Sequence, residues 1–303
     1  MLTIRNLSKT YPGGVHALKQ VDLTLKTGLF GLLGPNGAGK SSLMRTLATL
    51  QEADSGSVDL DGIDVLNDKA AVRRVLGYLP QDFGLYPQVD AETMLDHYAD
   101  LKGIGDRRSR AREVRRLLEL THLWEVRKRK LGTYSGGMRQ RFGIAQALLG
   151  DPRLIIVDEP TNGLDPEERR RFLNLLARLS ADAVVILSTH LVADVRELCS
   201  TLAVIRQGEV LVQGEPETLI RRLDGQVWRR PLGPDEDPDR QTPGDGPRLL
   251  STPRLLSTQL EGGRAIGRFI SPERPGSDYE AATANLEDVY FNVLKGAVLP
   301  QAA

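Results

Sequence analysis

Residues 34–41 read Gly34-Pro35-Asn36-Gly37-Ala38-Gly39-Lys40-Ser41, which matches the pattern of a glycine, four residues and then Gly-Lys-Ser/Thr. The apolar residues 29–33 come directly before this stretch and are typical of a buried parallel strand. Residues 41–50 come directly after it, and they place several leucines on one helical face. The sequence therefore predicts a strand, a glycine-rich loop and a helix, which is the arrangement that a triphosphate-binding site requires.

This loop brings together the groups that bind phosphate. Its glycines let the backbone approach phosphate oxygens closely, and the N-terminus of the next helix adds about half a positive charge. Lys40 is placed to reach the β- and γ-phosphates, and the Ser41 hydroxyl is placed to ligate Mg²⁺. We predict that the triphosphate contacts come from the loop and the start of the helix: Gly34, Pro35, Asn36, Gly37, Ala38, Gly39, Lys40, Ser41 and Ser42.

The bulk composition limits the class of protein. The chain has 303 residues, enough for one large domain and a smaller one, and its 40 basic and 40 acidic residues balance, so no overall field favours nucleic acid. Cys199 is the one cysteine, which excludes an internal disulfide and favours buried packing in a reducing compartment. The first residues do not resemble a signal peptide, and no apolar run approaches the roughly 20 residues that span a bilayer.

Two further apolar stretches end in polar side chains. Residues 154–157 lead into Asp158 and Glu159, and residues 183–189 lead into His190. Open α/β sheets bind ligands at the carboxyl ends of their strands, so we expect these side chains near the phosphate loop. There Asp158 would orient Mg²⁺ and its waters, and Glu159 would act as the general base on the attacking water. His190 is well placed to donate a hydrogen bond to the γ-phosphate.

Four other positions carry signals that the local sequence leaves open. Tyr11 is explained equally well as an aromatic residue packed on a sheet or as a flat face for a nucleobase. Gln81 follows a predicted strand at the end where ligand-binding groups lie. Ser135-Gly136-Gly137 begins either an ordinary capped helix or a second anion site. Asp165 is adequately explained as a helix cap.

The remaining segments indicate how the domains are organised. Alternating apolar residues within 1–28 predict antiparallel strands, and residues 89–131 predict amphipathic helices inserted into an α/β domain. The C-terminal part differs in composition. Residues 231–253 are rich in Pro, Gly, Asp and Arg and predict a flexible linker, whereas residues 264–270 predict a strand and residues 285–294 a capped helix.

Taken together, these motifs resemble the ATP-binding subunit of ABC transporters. The order is that of the family: Tyr11, the phosphate loop 34–42, Gln81, the signature segment 134–138, Asp158-Glu159, residues 162–165 and His190. The match covers roughly residues 1–220. In the signature segment Tyr134 replaces the commoner leucine and Met138 replaces glutamine, and both residues look like the export branch of the family.

The resemblance implies a fold and a domain division. The fold is α/β, a phosphate-loop NTPase core with a mixed sheet, an antiparallel β subdomain, a helical insertion at about residues 89–135 and a small α+β C-terminal extension. Residues 1–220 form the ATP-binding domain, and residues 221–303 form the extension, with the flexible segment at 231–253.

It also implies roles for single residues. The catalytic group comprises Glu159, His190, Lys40 and Gln81, and the Mg²⁺ ligands are Ser41, Gln81 and Asp158. Tyr11 stacks on adenine. Ser135, Gly136, Gly137 and Asp165 complete the ATP contacts, because the signature segment of one subunit faces the phosphate loop of another.

Finally, the resemblance implies an activity and its partners. The chain hydrolyses ATP with Mg²⁺ and powers a membrane exporter through nucleotide-driven closure of a dimer, formed with a copy of itself or a paralogue. A separate six-helix permease holds it peripherally at the inner, cytoplasmic face of the cell membrane, and nucleic acid is not a partner.

The alternative within the family is a non-transport ATPase, such as a translation, repair or regulatory factor. Translation factors of this kind usually carry two cassettes and repair factors a long coiled coil, and this sequence has neither. A phosphate-loop kinase is disfavoured by the signature segment and the strand-end histidine. A GTPase is disfavoured because the sequence lacks an Asn-Lys-x-Asp stretch.

Overall fold

The computed structural model describes residues 1–161, 164–233, 253–297 and 299. The chain divides into two compact units, Met1–Gln213 and Gly214–Ala303. The sequence places this boundary slightly later, after residue 220. Within the part of the chain that the structure describes, no helix is both long enough and apolar enough to cross a membrane.

The first unit alternates strands and helices along the chain. Its elements in order are β1 (Leu2–Tyr11), β2 (Val15–Leu25), β3 (Gly28–Leu33), α1 (Lys40–Leu47), β4 (Ser55–Leu60), β5 (Ile63–Asp64), α2 (Lys69–Val75), β6 (Leu76–Leu79), α3 (Ala91–Leu101), α4 (Arg107–Leu120), α5 (Gly136–Ala147), β7 (Leu154–Asp158), α6 (Pro166–Leu179), β8 (Val184–Thr189), α7 (Val192–Leu198), β9 (Thr201–Arg206) and β10 (Glu209–Gly214). Two 3₁₀ turns, Trp124–Val126 and Leu131–Thr133, lie between α4 and α5.

The central sheet carries the phosphate loop. Its strand order is β10-β9-β3-β8-β7-β6, and β9, β3, β8, β7 and β6 run parallel to one another. Every residue of β7 and β8 is buried, as expected for strands covered on both faces. Because the strands are parallel, the loop after β3 and the ends of β6, β7 and β8 meet at the same edge of the sheet.

A second sheet, ordered β2-β1-β4-β5, confirms the antiparallel strands predicted for the N-terminal residues. Leu2 and Ile4 on β1 face Leu25 and Leu23 on β2, and all four side chains are buried. They join the core that also contains the buried face of α1. The turn between β1 and β2 is closed by the Gly14 N–H, which donates to the Tyr11 carbonyl at 3.1 Å.

Two capped helices, α3 and α4, lie in the predicted helical insertion. The Asp90 carboxylate accepts from the Thr93 N–H at the start of α3, and the Asp106 carboxylate accepts from the Ser109 N–H at the start of α4. Helix α4 therefore begins at Arg107, directly after its cap at Asp106. Most of the arginines of α4 are exposed to solvent.

The second unit is a sheet with helices. Its elements are α8 (Pro216–Arg221), β11 (Val227–Pro231), β12 (Arg254–Glu261), β13 (Arg264–Ile270), β14 (Glu280–Ala281) and α9 (Leu286–Leu294), and the strand order is β12-β13-β11-β14. The strand at residues 264–270 and the Asn285-capped helix are confirmed. Strands β11 and β12 were not predicted. Of the segment predicted to be flexible, 231–253, residues 234–252 lie outside the described residues.

A buried ion pair joins sheet and helix in this second unit. Arg268 on β13 donates to both carboxylate oxygens of Asp288, at 2.8 and 2.6 Å, and the Asp288 side chain is completely buried. The same carboxylate accepts from the Asn285 N–H, which completes the cap of α9. Removing the arginine alone would leave a buried carboxylate without its countercharge, which typically costs several kcal/mol.

We therefore expect Arg268→Met to destabilise the second unit by about 3–5 kcal/mol. Urea unfolding followed through Trp228 fluorescence, in a Trp124→Phe background, measures this, because Trp228 lies on β11. Arg229→Met is the matched control, since Arg229 forms an exposed ion pair with Glu280 and its loss should cost less than about 1 kcal/mol. Equal unfolding midpoints for the two variants would contradict a stabilising role for the buried pair.

Candidate functional site

The edge where β3, β6, β7 and β8 end opens into a cleft of about 550 Å³. It brings together most of the residues that the sequence singles out: Tyr11, Pro35, Asn36, Gly37, Ala38, Gly39, Lys40, Ser41, Ser42, Gln81, Asp158, Glu159 and His190. Val15, His16 and Ala17 of β2 also line it. The sequence did not single out these three residues, because their strand pattern is ordinary and only the packing of β2 beside the loop brings them there.

The loop before α1 requires glycine for steric reasons. Gly39 has φ of +108°, and a Cβ at this position would lie 2.5 Å from the Ala17 carbonyl oxygen. The Lys40 side chain is buried, and its Nζ donates to the Gly34 carbonyl at 2.6 Å and to the Pro35 carbonyl at 3.2 Å. The Lys40 ammonium group therefore lies against two carbonyls of its own loop.

Two carboxylates end β7 beside the loop. The Ser41 hydroxyl donates to Oδ2 of Asp158 at 3.4 Å, and both groups line the cleft. Glu159 is buried, and its Oε2 lies 2.8 Å from Nδ1 of His190, whose side chain is half exposed. The Glu159 backbone has φ of +47°, an uncommon conformation for a residue with a side chain, and its N–H donates to the Ser188 carbonyl at 3.0 Å.

Burial and neighbouring charge act on these groups in opposite directions. Burial lowers the pKa of Lys40, and the carboxylates of Glu159 and Asp158 raise it again in part. Burial raises the pKa of Asp158, and Glu159 adds to that rise while Lys40 and the Ser41 hydroxyl oppose it. Each buried charge is thus costly by itself and is stabilised by the opposite charge across the cleft.

Tyr11 lines the cleft and is held by two hydrogen-bonding contacts of its hydroxyl. Its hydroxyl donates to Oε1 of Gln51 at 2.5 Å and lies 3.1 Å from the Ser42 hydroxyl at the start of α1. These contacts hold the Tyr11 side chain beside the start of α1. Gln51 was missed by sequence reasoning, because it follows α1 and carries no motif of its own.

The signature segment and Asp165 do not line this cleft. Ser135 caps α5 by accepting from the Met138 N–H at 3.2 Å, and Asp165 caps α6 by accepting from the Glu168 N–H at 2.8 Å. Both capping bonds confirm the local prediction. Gly137 lies against α6, since a Cβ there would lie 2.0 Å from the Glu168 carboxylate. Ser135 and Gly136 are exposed.

The geometry can be compared with known proteins. The family model described as ABC transporter matches residues 18–162. The linearmycin resistance ATP-binding protein LnrL of Bacillus subtilis strain 168 is 37% identical over 229 residues, which are 74% of this chain and 72% of LnrL. The probable multidrug ABC transporter ATP-binding protein YbhF of Escherichia coli strain K12 is 33% identical over 314 residues, 98% of this chain and 52% of YbhF. The chain thus spans about half the length of YbhF.

A solved structure is similar as well. The dimeric ATP-binding cassette MJ0796, in a post-hydrolysis state bound to ADP and Pi, has a TM-score of 0.65 to this chain at 28% identity. The similarity covers 71% of this chain and 98% of MJ0796. Fold and sequence comparisons therefore agree on one family, and they confirm the α/β phosphate-loop architecture predicted from the motifs.

Proposed function

This chain belongs to the family of ABC transporter ATP-binding proteins, and we propose that it hydrolyses ATP to power a membrane exporter. The observation that carries the proposal is the convergence of five groups in one cleft: Lys40, Ser41, Asp158, Glu159 and His190. They come from the ends of two strands, β7 and β8, and from the start of helix α1. A binding site for an uncharged ligand would have no use for this combination of a phosphate loop and buried carboxylates.

The chemistry follows from where the charges lie. In ATP hydrolysis a water oxygen bonds to the γ-phosphorus, the bond to the β–γ bridging oxygen breaks, and ADP and inorganic phosphate leave. Glu159 accepts the proton of that water, and its buried position keeps the carboxylate free of competing solvent. The Lys40 ammonium group gives up its hydrogen bonds to the loop carbonyls and donates instead to the β- and γ-phosphate oxygens. His190 donates a hydrogen bond to the γ-phosphate while its Nδ1 stays bonded to Glu159.

The residues present also fit Mg²⁺. The Ser41 hydroxyl and the Asp158 carboxylate lie together at the loop, and Gln81 lines the same cleft, so hard oxygen donors face the position of the phosphates. Among the described residues no group of three or more His, Cys, Asp or Glu could hold a metal alone. Mg²⁺ is usually bound through one or two protein oxygens together with substrate phosphates, whose charge it would neutralise.

The exposed signature segment supports a dimer. Ser135 and Gly136 present the N-terminus of α5 to solvent, and neither residue lines the cleft of the phosphate loop. We propose that they face the ATP held by a second subunit, either a copy of this chain or a paralogue, with Asp165 beside them. The MJ0796 cassette, bound to ADP and Pi, is itself dimeric, which favours the same arrangement here.

Export is the direction that the relatives favour. LnrL is a linearmycin resistance protein and YbhF a probable multidrug transporter protein. We propose that residues 82–105, which follow Gln81, bind a separate permease at the inner face of the membrane. Tyr86 in this segment leaves 63% of its surface exposed, and Leu101 leaves 70%. Both side chains are accessible to a partner, and we propose that Tyr86 contacts the permease.

Glu159→Gln tests the chemistry. We expect turnover of Mg-ATP to fall by about 10²- to 10⁴-fold, because glutamine cannot accept the proton, while ATP affinity is retained. The ATP-bound dimer should accumulate on size exclusion because hydrolysis no longer opens it. Glu167→Gln is the matched control, since that glutamate is exposed on α6 and should keep full turnover. Near-normal turnover of the Glu159 variant would exclude this residue as the base.

Ser135→Arg tests the shared site. The arginine would obstruct the ATP of the partner subunit, so we expect ATP binding to a single chain to persist while hydrolysis is lost. Fluorescence titration with an ATP analogue and a phosphate-release assay measure the two properties separately. Arg139→Ala, a change at an exposed position one turn further along α5, is the control. Hydrolysis at the normal rate by the Ser135 variant would contradict the dimer sandwich.

Capture of the permease tests the exporter. From detergent-solubilised membranes of the native host, the tagged chain should retain a membrane protein of about six apolar spans. Tyr86→Ala should weaken this capture and leave the ATPase activity of the isolated chain unchanged, whereas Leu260→Ala, at an exposed leucine of the second unit, should change neither. An active ATPase that retains no such protein under any nucleotide condition would favour the non-transport alternative.

A further inference from the structure

The segment that carries Glu159 and the segment that carries His190 are joined twice. The first bond is the one in the cleft, between the Glu159 carboxylate and the His190 ring. The second lies outside the residues that line the cleft: the Thr161 hydroxyl donates to Oδ2 of Asp194 at 3.2 Å. Thr161 is two residues after Glu159, and Asp194 is four residues after His190. The two bonds therefore run between the same pair of chain segments.

The second bond is buried and charged. Asp194 is 1% exposed, and its other oxygen, Oδ1, accepts two hydrogen bonds from the Arg169 guanidinium on α6, one of them from Nε at 3.0 Å. Thr161 is buried as well. A buried carboxylate is costly unless it is paired and hydrogen-bonded, and here both of its oxygens have donors. The cluster is therefore rigid, and it fixes α6, α7 and the chain after β7 relative to one another.

This cluster lies next to a strained residue. Glu159 holds a left-handed backbone conformation, which persists only where the surrounding structure enforces it. On the strand side its N–H donates to the Ser188 carbonyl. On the other side, two residues later, Thr161 is tied to Asp194. The strained residue is thus held between two fixed points, and its carboxylate direction depends on both.

We propose that Thr161, Asp194 and Arg169 form a positioning cluster that aims the Glu159 carboxylate at its water and at His190. The inference rests on the proposed function, because it concerns the rate of the same reaction. None of the three side chains lines the cleft, so they act through Glu159 and His190 and not on the nucleotide. Misplacement of a catalytic group by about 1 Å can cost on the order of 10²-fold in rate without any loss of substrate binding.

Thr161→Val removes the hydroxyl and keeps the size and branching of the side chain. We expect kcat for ATP to fall at least about tenfold while KM stays within about twofold, because positioning affects the reacting group and not ground-state binding. Thr161→Ser retains the hydroxyl and should restore most of kcat. Arg169→Leu should lower kcat in the same way, whereas Arg171→Gln, which breaks an exposed ion pair on the same helix, should not.

The full-length chain, assayed with Mg-ATP, distinguishes the outcomes. Equal kcat in the wild type and in Thr161→Val, with wild-type turnover present, would overturn the positioning cluster alone. Equal losses in Thr161→Val and Thr161→Ser would overturn it too, because packing and not the hydroxyl would then matter. Thermal unfolding of each variant checks that it is folded at the assay temperature. Absence of turnover in the wild type would instead contradict the proposed function itself.

Discussion

The parallel pairing of β3, β8 and β7 is the constraint on which the site depends. Register places Leu33 beside Thr189 and Asp158 beside Ser188, so the phosphate loop, the carboxylates and the histidine leave the sheet at one level. Parallel strands need long connections, and these connections supply the helices that bury both faces of the sheet. The site therefore lies on the edge of a sheet buried on both faces, and the loops that follow its strands surround it. Segments distant along the chain meet there because their strands are neighbours in the sheet.

The charged side chains of the site are buried, and their burial is unfavourable without a ligand. Lys40, Asp158 and Glu159 are all buried, and each by itself would be unfavourable. Their mutual attraction compensates in part, and Lys40 uses loop carbonyls as substitutes for an anion. A bound triphosphate with Mg²⁺ would provide the lysine with stronger partners and the carboxylate with a cation. Ligand binding would then be favoured, because it would compensate the unfavourable free energy of burying these charges.

The division of the site also has a physical basis. The cleft contains the groups that we propose to hold a triphosphate and to activate the attacking water, whereas the signature segment presents its helix N-terminus elsewhere, on an exposed surface. Yet α5 is not isolated from the cleft. The Gln140 side chain donates to the Pro160 carbonyl at 3.0 Å, next to Glu159, and Gly137 lies against the Glu168 carboxylate of α6. The surface proposed to meet a second subunit therefore packs directly on the chain that follows Glu159, the proposed general base.

Much of this protein followed from local sequence, and the rest did not. Motif and periodicity predicted the features that depend on neighbouring residues. These are the phosphate loop, the apolar strands that end at Asp158 and His190, and the helix caps Ser135, Asp165 and Asn285. The ATP-binding family followed from the order of those motifs.

Other features depend on partners far away in the chain. They include strands β11 and β12, the contact of Gln51 with Tyr11, and the cluster of Thr161, Asp194 and Arg169. Such contacts carry no local pattern, because an aspartate on a short helix looks the same whether it faces water or a buried arginine. Sequence alone determined which groups could perform the chemistry, and only the tertiary structure decided which side chains hold them in place, since burial and pairing are properties of the folded chain.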